Sequence, residues 1–87
     1  MASRRVTGTF SGTGNSDAVS CSKAIIDLTF AGTATVNLQW LLDGTNWRTI
    51  ESYTASTQKV FDSGVNVPIR LNCSAHTNNV TYAITTN

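Results

Sequence analysis

Apolar and polar residues alternate along much of this chain. In Lys23–Phe30, Ala24, Ile26, Leu28 and Phe30 share one side, with Ile25, Asp27 and Thr29 on the other. Ala31-Gly32-Thr33 then reads as a turn. Ala34–Trp40 repeats the pattern, with Ala34, Val36, Leu38 and Trp40 against Thr35, Asn37 and Gln39. A period of two predicts half-buried strands. The β-branched content resists a helix. Val67–Ala75 is the most regular case: Val67, Ile69, Leu71, Cys73 and Ala75 face one way, and Pro68, Arg70, Asn72 and Ser74 the other. Pro68 donates no ladder hydrogen bond, so it belongs at that strand's start or on a sheet edge.

Further strands are expected at Val6–Phe10, Ala18–Cys21, Trp47–Tyr53, Lys59–Phe61 and Val80–Thr85. Trp47 and Ile50 fall on opposite faces of a regular strand, so a bulge or a strand covered on both sides is expected there. Ser11–Ser16, Leu42–Asn46, Asp62-Ser63-Gly64 and His76–Asn79 read as loops or turns. The result is seven to eight short strands at roughly 8–12-residue spacing, which predicts an all-β, small antiparallel sandwich, Ig-like or jelly-roll-like. Residues 1–87 form one domain, with 1–16 an N-terminal arm, or an edge strand and loop.

Composition narrows the picture. Thr, Ser and Asn supply 31 of the 87 residues, and charged residues only 13%. The net charge is +1, and Arg4-Arg5 is the only adjacent basic pair. No basic stripe exists for a nucleic-acid backbone. Apolar runs such as Trp40–Leu42 stop at three residues, too short for a membrane helix. Met1 leads into Ala2-Ser3-Arg4-Arg5 with no apolar signal segment, so synthesis in the cytoplasm and free thiols at Cys21 and Cys73 are expected.

The inventory of reactive groups points away from an enzyme. His76 is the single histidine and sits among turn formers. No serine lies in a nucleophile-elbow motif. Cys21, Cys73 and His76 match no metal-ligand spacing. The segment Gly8–Gly14 lacks the Lys-Ser/Thr ending of a phosphate loop. No catalytic, cofactor or metal residues are therefore assigned. Asp43-Gly44-Thr45-Asn46-Trp47 resembles the end of the Asp-box turn, with Leu41 in place of its serine and one residue fewer between Asp and Gly. Asp43 and Gly44 are expected to shape the turn, and Trp47 to pack beneath it. The alternative is that Trp47 or Trp40 is an exposed sugar-stacking platform; phase with Val36 and Leu38 favours burial of Trp40.

One resemblance spans about two thirds of the chain. The order Gly32-Thr33, Val36-Asn37-Leu38-Gln39, Asp43-Gly44, Trp47, Glu51-Ser52-Tyr53-Thr54-Ala55, Pro68-Ile69-Arg70-Leu71-Asn72-Cys73 and Thr81-Tyr82 resembles small virion proteins of tailed bacteriophages. That resemblance implies a non-enzymatic structural protein of the virion, of the head decoration or cement type, which binds the major capsid protein and stabilises the shell as a homo-oligomer, a trimer foremost. Arg4 and Arg5 would then pair with acidic capsid groups. The alternatives are a tail or head–tail joining component, or a carbohydrate-binding module. No cofactor, nucleic acid or membrane is implied.

Overall fold

The computed structural model describes residues 4–86. Seven antiparallel strands form it: β1 Arg5–Phe10, β2 Gly14–Asn15, β3 Val19–Phe30, β4 Ala34–Leu41, β5 Trp47–Tyr53, β6 Thr57–His76 and β7 Val80–Thr86. They pair in the order β1-β7-β3-β6-β4-β5, with β2 alongside β6.

Two long strands turn this single sheet into two layers. β3 and β6 pair from Leu28↔Thr57 to Lys23↔Asp62, then resume at Cys21↔Val67 after a register shift. Both strands bend at the shift. One layer therefore holds β1, β7, the later part of β3 and the start of β6. The other holds β2, the start of β3, the later part of β6, β4 and β5. Inward residues from both layers form one core, including Ile26, Leu28 and Ile84 from the first and Val36, Leu38, Ile69 and Leu71 from the second. Trp40 meets Phe61 across the gap, edge to face at 6.0 Å. The shortest Cα dimension is 17 Å, suited to two sheets about 10 Å apart.

Several sequence expectations shift. The segments Ala18–Cys21 and Lys23–Phe30 are one 12-residue strand, and Lys59–Phe61 and Val67–Ala75 belong to one 20-residue strand. Asp62-Ser63-Gly64 is a bend within β6. The Gly64 amide donates to Asp62 Oδ1 at 3.0 Å, Gly64 takes φ 76°, and Ser63 Oγ donates to Val65 O at 2.6 Å. Turn chemistry here redirects the strand instead of reversing it. The strands are thus seven, two of them long. The predicted loop Ser11–Ser16 contains β2, whose Gly14 and Asn15 pair with Cys73 and Asn72. The expected irregularity in β5 is a bulge: Leu38 faces Glu51 and Gln39 faces Thr49, leaving Ile50 as the extra residue. Pro68 stands opposite Ser20, one residue beyond the end of the β4 ladder at Ile69↔Trp40.

The N-terminal segment is an edge strand from Arg5 onward. β1 pairs with β7 along its whole length, from Arg5↔Thr85 to Phe10↔Val80. Arg4 O accepts from the Thr86 amide at 2.8 Å. Met1, Ala2 and Ser3 of the expected arm lie outside the described residues.

Candidate functional site

Alternation leaves each layer with an outer face, and the two faces differ in chemistry. On the first layer, register aligns Arg5, Thr85, Ile25 and Val60 in one row, and Thr7, Ala83, Asp27 and Gln58 in the next. Ile25 is 53% exposed and its neighbour Val60 70%. Shallow depressions run along this face, several of them bordered by Asp27. Another, formed by Ile25, Val60, Lys23 and Thr85, is apolar. Small Thr and Ala side chains keep the surface low between them.

The outer face of the second layer is a hydrogen-bonded polar array. Asn15, Asn72, Asn37 and Ser52 form one row across β2, β6, β4 and β5. Asn72 Nδ2 donates to Asn15 Oδ1 at 2.6 Å. Asn37 Nδ2 donates to Asn72 Oδ1 at 3.2 Å and to Ser74 Oγ at 3.1 Å. Ser52 Oγ donates to Asn37 Oδ1 at 2.6 Å. Two residues along lies a second row, in which Arg70 Nε donates to Gln39 Oε1 at 2.9 Å and Gln39 Nε2 to Thr49 Oγ1 at 3.2 Å. The Arg70 guanidinium lies 4.3 Å over the Trp47 ring.

Trp47 accordingly stands outside the core cluster, half-buried on this outer face, while Trp40 packs against the core. Asp43 shapes the hairpin tip. Its Oδ1 accepts from the Asn46 amide at 2.7 Å and the Thr45 amide at 2.9 Å, and Gly44 takes φ 81°. These bonds, that of Asn46 foremost, hold the Asp43 carboxyl down at about 2. Arg5 borders the depression beside Asp27 and Ile25 on the first face, whereas Arg4 is exposed next to Thr86. The structure therefore separates the predicted residues: Arg5 on one face, Trp47 on the other, Asp43 and Gly44 at a tip.

The open side between the layers is closed by charge. Inward positions at two edges carry Lys59 and Glu51, paired at 3.3 Å, and the Tyr53 hydroxyl donates to Glu51 Oε1 at 2.7 Å. The Tyr53 bond first, and Lys59 next, lower the Glu51 carboxyl; burial first, and Glu51 next, push the Tyr53 hydroxyl up. Such an exposed pair adds little stability, but charges at edges discourage pairing with a foreign strand.

His76 closes β6, its Nε2 3.2 Å from Asn79 Oδ1. Cys21 and Cys73 are both free and buried. Cys21 pairs with Val67, six residues from Cys73 and roughly 20 Å away along the strand, too far for a disulfide. Among the described residues no group of three or more His, Cys, Asp or Glu side chains converges as metal ligands. Among the described residues no helix is long and apolar enough to cross a membrane.

Periodicity had placed Asn37, Gln39, Arg70 and Asn72 on polar faces. It carries no register, so it could not join them into rows.

These features define a small all-β sandwich with two chemically distinct outer faces. No family model and no curated protein matches the chain. Among solved structures it is similar to the Yersinia pseudotuberculosis-derived mitogen, with a TM-score of 0.57 at 16% identity over 99% of this chain and 86% of that one. At that identity the likeness concerns the fold alone.

Proposed function

We propose that this chain is a non-enzymatic structural protein of a tailed-phage virion, a decoration or cement protein that binds the major capsid protein on the head shell. The ordered motifs from Gly32 to Tyr82 support the family reading. The observation that carries the binding role is the outer face of β1, β7, β3 and β6. It is broad, with the exposed neighbours Ile25 and Val60 forming an apolar patch on β3 and the start of β6, and Arg5 and Asp27 beside them. Exposed apolar side chains flanked by polar groups are the kind of patch that a protein partner covers. Symmetric copies on a shell lattice, as trimers or another closed oligomer, would repeat this contact many times.

Quantitative mass spectrometry of purified virions tests the reading, using the ratio of this chain to the major capsid protein. A decoration protein gives a simple ratio amounting to hundreds of copies. About three to a few dozen copies would move it to the tail or the head–tail joint. Absence from virions would end the virion reading.

A further inference from the structure

The opposite face carries chemistry that shell binding does not use. We propose that the outer face of β2, β6, β4 and β5 is a binding site for an acidic saccharide, with Arg70 taking the sugar carboxylate and the Asn37–Asn72 row taking its hydroxyls. This rests on side chains of the second layer and stands apart from the virion reading.

Three observations carry it. First, Arg70 is held in place before any ligand arrives. Gln39 fixes its Nε at 2.9 Å, and the Trp47 ring supports the guanidinium plane at 4.3 Å. Among the described residues the ion pairs are Lys23–Asp62 and Lys59–Glu51, so Arg70 faces no carboxylate within 4.0 Å. A positioned guanidinium without an acid presents its terminal N–H fork to one from outside, and fork-to-carboxylate pairing is the strongest common polar contact.

Second, the neighbouring groups are neutral, polar and fixed. Asn37 spends both Nδ2 hydrogens on Asn72 and Ser74 and accepts from Ser52. Ser74 and Thr49 accept hydrogen bonds here, so each keeps a hydroxyl hydrogen to donate; Ser52 donates, so it keeps acceptor capacity. Amide oxygens retain a second lone pair. The face thus offers mixed donors and acceptors at set positions, the complement of a polyol, and their mutual bonds remove much of the ordering cost. Third, the Arg70 row and the Asn72 row are two residues apart, about 7 Å, which lets one pyranose reach both with a carboxylate at one end and hydroxyls at the other.

A peptide carboxylate is the competing occupant. The exposed Ile25 and Val60 that a protein partner would cover lie on the other face, whereas this one presents amides and hydroxyls.

The test is an NMR titration of the ¹⁵N-labelled full chain. Trigalacturonate and sialyllactose serve as acidic probes, galactotriose and lactose as neutral ones, and tetraglutamate as a carboxylate without sugar. At least one acidic saccharide is expected to shift the side-chain amides of Asn37 and Asn72 and the Trp47 indole N–H. Its affinity should fall at least about tenfold in Arg70→Gln, and also in Arg70→Lys, which keeps the charge but loses the fork. Backbone spectra of both variants report that the fold is retained. The proposal is overturned if neither acidic probe perturbs this face, if the neutral sugars or tetraglutamate bind equally well, or if the Arg70 variants bind unchanged.

Discussion

Ser16 completes the β6 ladder with a hydroxyl. Its amide donates to Leu71 O at 2.8 Å, and its Oγ accepts from the Leu71 amide at 2.9 Å. Ser16 is buried, so Ser16→Ala leaves a buried N–H without its partner. The expected loss is about 1–3 kcal/mol of unfolding free energy by denaturant titration. A loss within experimental error would show that water replaces the hydroxyl. Asp43 makes a prediction in pH. Its carboxyl lies below its ordinary 3.8, at about 2, because the Asn46 and Thr45 amides bond the charged form. A depressed folded-state value means that the stabilisation is complete above the ordinary range and is lost as pH falls through the folded value. The Thr45 and Asn46 amide shifts should therefore titrate together near pH 2. A common midpoint near the ordinary 3.8 would contradict the cap. Asp43 and Gly44 were legible from sequence because an Asx turn is encoded within a few residues. Ser16 was not, because its partner is 55 positions away.

At the scale of elements, phase was legible and connectivity was not. The inward sets of β4 and of the later part of β6 follow from alternation alone. Asp62-Ser63-Gly64 has the local chemistry of a reversal, yet the chain runs on as β6 because β3 bends at the same level and continues the ladder. Only that pairing separates a bend from a turn. Gly64 marks the place with φ 76°, and a Cβ there would meet nothing within 4 Å. Any cost of Gly64→Ala is therefore conformational, about 1–2 kcal/mol. Gly12 provides the control: a Cβ there also meets open space, and its φ is not in the left-handed region. Equal unfolding midpoints for Gly64→Ala and Gly12→Ala would show that the bend does not depend on glycine.

For the molecule as a whole, folding one sheet over leaves a core between the layers and two outer faces. Cys21 and Cys73 lie in that core, and burial pushes both thiols up. Thiolate is the reactive form, so a thiol reagent should modify neither cysteine quickly in the native chain and both after denaturation without reductant. Finding fewer than two thiols in the denatured chain would contradict the free-cysteine assignment. Which residues face outward was largely legible from alternation; which become neighbours was not. Ile25 and Val60 are 35 positions apart and meet only through the β3–β6 register, and the Arg70–Gln39 pair forms across β4 and β6. Composition alone indicates only a small, Thr-rich, nearly neutral β domain.

The proposed shell-binding role rests on the face around Ile25 and Val60, and co-sedimentation with head shells lacking this chain tests it most directly. The unaltered chain should bind saturably, and a folded Ile25→Lys/Val60→Lys variant should bind at least about tenfold more weakly. Unchanged binding of that variant, or an unaltered chain that stays in the supernatant, would contradict the account.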